Sequence, residues 1–377
     1  MLPDTVRPIS VDDHLIEPPD LWTSRLPGRY RDDAPQVVKN DAGEDVWRYA
    51  GALNPIVALN AVAGLDVEDF STRNISYSDM RPGVYNARER IRDMDADGLH
   101  GSICFPTFAR FAGHRFLEGE DRELAGLCVR AYNDFMLDEW CAAAPDRLIP
   151  MTILPLWDSA AAVAEVHRCA GRGAKAIALS ENPTKMGLPS IHSGYWDPVF
   201  GAIEETDLAV CMHIGSSSQV ITSSTDAPYA VHVGLIGLNS MVGLTDLLFS
   251  HVLHDFPTLR IALSEGGAGW VPYLLERCDY TWERHRHHSG LRADITPSEL
   301  FTRNIWVCII TDELAVDLRH RIGVDKIMWE CDYPHSDSLW PDSRKALLES
   351  LHDVPENEAL AIAEDNARSV FRFPAVP

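Results

Sequence analysis

The chain has 377 residues, 46% of them apolar, with 24% charged and 8% aromatic, a composition that buries a sizeable core and is ordinary for a globular protein. Lys and Arg total 33 against 56 Asp and Glu, a formal charge of −23. That field repels phosphate backbones and anionic lipid, which argues against nucleic-acid and membrane partners and leaves attraction of an anionic substrate to local groups.

The N-terminal MLPDTVR shows no basic-then-apolar leader, and no uninterrupted apolar run approaches the roughly 20 residues of a membrane span, so a cytoplasmic protein is expected. The eight cysteines (Cys104, Cys128, Cys141, Cys169, Cys211, Cys278, Cys308, Cys331) show no C-x-x-C spacing. Buried free thiols are expected ahead of disulfides or a zinc cluster.

Short, β-branched apolar runs alternate with longer amphipathic stretches. Strands are predicted at Pro8–His14, His100–Thr107, Arg147–Pro155, Ala174–Glu181, Leu208–Gly215, Leu259–Gly267, Asn304–Thr311 and Lys326–Pro334. Most are near-continuous hydrophobic runs, the pattern of strands covered on both faces of a parallel sheet. Helices are predicted over Ala87–Asp97, Asp121–Ala144, Ser159–Gly171, Asp197–Thr206, Gly243–His254, Trp270–His285, Asp312–Arg321 and Pro341–Leu351. Eight strand-then-helix units predict a (β/α)₈ TIM barrel; a doubly wound open sheet is the rival.

The whole chain, 1–377, reads as one domain with two surplus segments. Residues 20–84 are too long for a first loop and carry a hairpin signal, QVVKNDAGEDVWRYAG, with its turn at Asn40–Gly43. The second segment, 216–241, is a long loop after strand five that begins SSSQVITSSTDA. Both follow strand ends, where barrel loops build an active site, and both are candidate lids. Phe373–Pro377 reads as a tail.

The C-terminal strand ends carry Asp12, Asp13 and His14 on strand one, His213 on strand five, Glu265 on strand six and Asp332 on strand eight. Residues two apart on a strand share a face, so Asp12 and His14 point together and Asp13 points away. Asp12, His14, His213 and Asp332 make a mixed nitrogen–oxygen set suited to one divalent ion, zinc ahead of manganese. Asp-Asp-His alone would read as a turn or cap; its partners at matching strand ends make it a ligand pair.

VDDHLIEP, AVCMHIG and MWECDYPH resemble the amidohydrolase-related family that includes aminocarboxymuconate-semialdehyde and γ-resorcylate decarboxylases. Supporting phrases are AYNDFMLDEWCAAAPDRLIPMTILPL, HDFPTLRIALSEGGAGWVP and EDNARSVF, so the similarity spans nearly the whole chain. Members carry His-x-His or Glu-x-His on the first strand, and Asp12 stands where the carboxylate version has Glu. By that match His14, His213 and Asp332 are ligands, and Asp332 also handles the proton. Many of these decarboxylases have a histidine before the glycines after strand six; this chain has Glu265.

Glu265 therefore reads as a raised-pKa acid, an extra ligand, a grip for a substrate hydroxyl, or a brace for loop amides. His335 is the candidate to supply the missing imidazole, with a supporting or loop-capping role as the alternative. Arg110 and His114, after strand two, are candidates for holding a substrate carboxylate. Glu17, in the proline-stiffened EPPDLW, defaults to the surface. His251 and His254 read as helix-end residues, His285–His288 as a solvated patch, and Tyr132-Asn133 as packing and hydrogen bonding.

The leading functional expectation is a lyase that removes CO₂ from an aromatic or enol-type acid. Hydrolysis of an amide, ester or lactone at the same site is the runner-up, and a non-catalytic metal-binding ligand sensor the third reading. The expected partner is a small-molecule substrate, and a homo-oligomer is compatible with the sequence.

Overall fold

In the computed structural model, which describes residues 6–219 and 221–374, the apolar runs form two parallel sheets, of three and six strands. They are β1 (Ile9–Leu15), β5 (Gly101–Pro106), β6 (Leu148–Ile149), β7 (Met151–Thr152), β8 (Ala176–Ser180), β9 (Ala209–His213), β10 (Arg260–Ser264), β11 (Ile305–Ile309) and β12 (Ile327–Trp329). Between them β2 (Gln36–Lys39), β3 (Asp45–Tyr49) and β4 (Ala52–Pro55) make a separate antiparallel sheet. β6 and β7 are one predicted strand interrupted at Pro150, which has no N–H to give to a ladder. Every residue of β1, β5 and β8 to β12 is buried, as continuous hydrophobic runs require.

β1 pairs with β5 and β5 with β6, while β7 through β12 pair in sequence order. Asp332 N–H donates to Asp12 O at 2.8 Å and His14 N–H to Tyr333 O at 2.7 Å, so the exit of the last strand bonds back to the first. The fold is the expected (β/α)₈ barrel. The β1–β5 register shifts between Ser10 and Asp13; such a bulge re-aims side chains at a barrel rim, and here the rim residues are Asp12 to His14.

The helices fall close to their predicted places, for example Ala87–Asp97, Ser159–Ala170 and Val271–Ser289. Three departures matter. The predicted long loop 216–241 is helical from Tyr229–Leu235 onward, followed by Leu238–Leu248, with a break at Ile236-Gly237. By length and composition the run Tyr229–Leu248 is apolar enough to cross a membrane, but it buries Leu244, Leu247 and Leu248 in the protein core. The predicted helix Gly243–His254 is accordingly the end of this one plus a short turn, Val252–Asp255. A C-terminal helical run, Glu356–Leu360 through Asn366–Phe371, was not among the predicted eight. Its Asn366 amide donates to Val324 O and Ile327 O at 2.8 and 2.7 Å, which ties EDNARSVF to the base of β12. The predicted tail lies outside the described residues beyond Pro374.

The hairpin turn forms where expected: Asn40 Oδ1 accepts from the N–H groups of Ala42 and Glu44 at 2.9 and 3.0 Å, and Gly43 takes a φ of +81°. The inserted segment docks on the loop after β5. Trp47 stacks on Phe108 with centroids 4.5 Å apart, and Tyr49 meets Phe116 edge-on at 5.8 Å. The eight cysteines are free and buried, as expected.

Candidate metal centre

At the mouth, His14 Nε2 lies 3.3 Å from Asp12 Oδ1, 3.1 Å from Asp332 Oδ1 and 3.2 Å from His213 Nε2. His213 Nε2 is 2.8 Å from Glu265 Oε2 and 3.5 Å from Asp12 Oδ2. His335 Nδ1 sits 3.1 Å from Asp332 Oδ1, and its ring stacks on His14 with centroids 3.6 Å apart. All six residues singled out in the sequence thus come together. Their donor atoms form two overlapping groups, each within 4.8 Å: Asp12, His14, His213 and Glu265, and His14, Glu265, Asp332 and His335. The expected set of Asp12, His14, His213 and Asp332 is divided between them, with His14 and Glu265 common to both.

Two observations test whether a cation fits. Both oxygens of Asp12 and of Asp332 are buried without a hydrogen-bond partner, although buried polar atoms normally have one. His213 Nδ1 lies 2.5 Å from Ile214 O; a carbonyl only accepts, so Nδ1 carries a proton, and the tautomer that binds a cation is the one with its lone pair on Nε2. That lone pair faces the Glu265 and Asp12 carboxylates. Converging lone pairs in a dry site repel unless a cation lies among them, and the mixed nitrogen–oxygen donors suit a divalent one.

The electrostatics agree. Burial pushes the Asp12 carboxyl well above its usual range, and Glu330, Glu265, Asp332 and Asp13 push it further. Asp332 is raised in the same way, by burial and then by Glu265, Asp337 and Asp13. Burial, followed by the neighbouring His335 and His213, holds His14 well below the ordinary imidazole value. Glu265 differs: burial acts upward, but a proton on His213 Nε2, in the place an ion would take, outweighs it and holds the carboxyl below its usual value, against the raised-pKa reading. Burial brings His335 down to about 4. Glu265 and Asp332 also hold left-handed backbone, φ +59° and +55°, a conformation that costs free energy in a residue with a side chain and concentrates at functional sites.

Asp13, as expected, turns to the other face, where its carboxylate accepts from Ser10 Oγ at 2.8 Å, Tyr333 N–H at 3.1 Å and Ser102 Oγ. Glu17 overturns its surface expectation. It is fully buried, and its two oxygens accept from Phe108 N–H and Ala109 N–H at 2.8 and 2.9 Å. His114 is also committed: its Nε2 meets Ser218 Oγ at 2.5 Å, and burial, with Arg110 and Arg115 nearby, brings it down to about 3. Its Nδ1 is buried without a partner, so a neutral ring offers an anion at most one N–H and no charge. Arg110 is exposed, with φ +63° and no carboxylate at ion-pair distance among the described residues. His251 bonds Asp197 at 2.8 Å, His285 to His288 lie on the surface helix, and Asn133 brackets Ile153 through N–H and C=O at 2.9 Å each.

Two site neighbours escaped the sequence reading. Glu330 is buried and accepts from Glu265 N–H at 3.2 Å; its position two before Asp332, on the same side of the strand exit, was the available signal. Phe111 lays its ring 4.0 Å from that of His213 and 5.1 Å from that of His14.

A family model described as amidohydrolase matches residues 21–373. The γ-resorcylate decarboxylase of Rhodococcus jostii (strain RHA1) is 25% identical over 287 residues, covering 67% of this chain and 79% of that protein. Among solved structures, an amidohydrolase of Mycobacterium avium subsp. paratuberculosis K-10 aligns over 97% of this chain and 99% of its own, with a TM-score of 0.78 at 22% identity. A dihydroxybenzoic acid decarboxylase of Polaromonas sp. JS666, with bound manganese and the inhibitor 2-nitroresorcinol, aligns over 99% and 98% with a TM-score of 0.65 at 18% identity. The chain belongs to the amidohydrolase family.

Proposed function

We propose that this amidohydrolase-family chain is a metal-dependent carboxy-lyase that removes CO₂ from an aromatic or enol-type carboxylic acid. The observation that carries the reading is the convergence of His14 Nε2 and His213 Nε2 with the unpartnered oxygens of Asp12 and Asp332 at a barrel mouth. The relatives named as decarboxylases support the reaction class. Asp12, His14, His213 and Asp332 would hold the ion, with Glu265 within reach of the same position. Zinc and manganese both suit these donors, and manganese in the Polaromonas enzyme supports the second. When bound, the cation supplies fixed positive charge that stabilises negative charge developing on the substrate.

The protein's own groups handle the proton. Asp332 delivers it to the ring carbon as the bond to the carboxylate carbon breaks, so one C–H bond replaces one C–C bond and CO₂ leaves. His335 Nδ1, 3.1 Å from Asp332 Oδ1, is placed to restore that proton. The chain acts as one domain, with segments 20–84 and 216–241 walling the mouth. Hydrolysis on the same residues is the second reading, favoured by Glu265, whose carboxylate beside His213 can accept a proton from water. A panel of hydroxybenzoic acids assayed in D₂O tests the first: CO₂ release with one deuterium at the vacated carbon is expected. Turnover of esters or lactones with ¹⁸O uptake from labelled water, and no CO₂ from any acid, would replace it with the second.

A further inference from the structure

The loop between β5 and the following helix holds one feature that the metal chemistry does not use. Phe111 lies tilted by 36° against the His213 ring at 4.0 Å, with His14 at 5.1 Å and His335 at 6.3 Å. It is half-buried, so part of its surface is left uncovered beside these rings. The loop that carries it is fixed from several directions. Buried Glu17 takes the N–H groups of Phe108 and Ala109, and His114 bonds Ser218 on the loop after β9. A Cβ on Gly113, which has φ +77°, would come within 3.0 Å of Ile153. Ala109 and Ala112 are sealed in the interior. A ring held this firmly is a wall, and anything bound by the histidine and aspartate donors must lie beside it.

We infer that Phe111 is a specificity-determining residue whose face selects planar, conjugated substrates by stacking over the ion-binding side chains. The inference rests on the reading that a carboxylate and an adjacent oxygen of the substrate bind at this centre. Flat rings gain from offset contact with an aromatic face, whereas a puckered ring of equal size cannot lie against it.

The test uses binding, so it does not need turnover. Salicylate and its saturated counterpart, cis-2-hydroxycyclohexanecarboxylate, carry the same carboxylate–hydroxyl pair on a flat and a puckered ring. Their affinities for the metal-loaded full-length protein are compared by calorimetry, with metal content measured alongside. Wild type is expected to prefer salicylate by about three- to tenfold, the range of a stacked aromatic contact. F111A should bring the two within about twofold at unchanged metal content, F111L should do the same while keeping apolar bulk for folding, and F111Y should keep the preference. The inference is overturned if wild type binds neither ligand or shows no preference, if F111L retains the preference, or if both ligands tighten equally in F111A, which would make the ring a plug. A preference that is present in wild type and lost in F111L stands whether or not CO₂ is released. Absence of CO₂ therefore counts against the lyase reading alone.

Discussion

Asp12 and Asp13 are consecutive on β1 and equally hidden from solvent, yet the two faces of that strand treat a carboxylate in opposite ways. On the outward face Asp13 accepts from two hydroxyls and a backbone N–H, and the guanidinium of Arg90 lowers the rise that burial causes, leaving it at about 6. On the inward face Asp12 has no hydrogen-bond donor on either oxygen and four acidic neighbours. Glu17 resembles Asp13, and Asp332 resembles Asp12. A satisfied buried carboxylate builds the scaffold; an unsatisfied one, surrounded by its own sign, is shaped for a cation.

The largest effect should come from the inward face. Asp332→Asn keeps the shape but loses the proton-transfer group, and it is expected to lower turnover by roughly 10²- to 10⁴-fold. Asp12→Ala should lower metal content, and Asp13→Ala should retain it. Metal analysis of the two variants side by side checks the contrast; equal loss in both would erase the distinction between the faces. His213→Ala should abolish metal-dependent activity with a far-ultraviolet dichroism spectrum close to wild type.

Glu265 sharpens the same contrast because it belongs to neither class fully. One oxygen meets His213, and its backbone N–H is taken by Glu330. Acting on a proton, Glu265→Gln should cost about 10²-fold in rate with metal content unchanged. Acting as a ligand, it should lose metal as well as rate. Full rate with full metal would reduce Glu265 to a brace of its loop and shift attention to His335.

On the outward face the expected effect is on stability. Asp13→Ala leaves the hydroxyls of Ser10 and Ser102 and the N–H of Tyr333 without their acceptor, at a cost of about 1–3 kcal/mol. Denaturant titration of the metal-loaded variant should show a lower midpoint at unchanged slope. Wild-type stability in Asp13→Ala would mean that these bonds contribute little.

Much of this was legible in the chain because the barrel strands are buried on both faces, so composition alone marks them. All six chosen site residues meet because each ends such a strand or lies just beyond it. What escaped depends on contacts distant in sequence. Glu17 looked like a surface residue because nothing near it reveals that Phe108 and Ala109, some ninety residues on, deliver their amides to it. Phe111 lay in a loop whose local pattern carries no direction toward the mouth. The Ser- and Thr-rich start of 216–241 read as loop because these residues compete with helical hydrogen bonding, while the apolar run from Tyr229 onward was overlooked as helix.

The last expected effect depends on pH and concerns Glu17. Burial pushes its carboxyl up to about 7 from an ordinary 4.5, against the opposing hydrogen bonds from Ala109 and Phe108. Between those values the unfolded chain has released the proton and the folded one still holds it. The unfolded state then binds fewer protons, so stability from this group falls as pH rises from about 4.5 to 7 and levels off above that. Glu17→Gln keeps an acceptor for one loop amide and removes the titration. The variant should therefore gain on wild type steadily across that window, whatever the offset between them at pH 4.5. Thermal midpoints of the two proteins at half-unit intervals from pH 4 to 8 measure the difference. A difference that stays flat would mean that Glu17 is ionised in the folded protein throughout the range. Its two amide bonds would then suffice to hold the charge, and the outward-face acids would differ from Asp12 in having donors rather than in tolerating protonation.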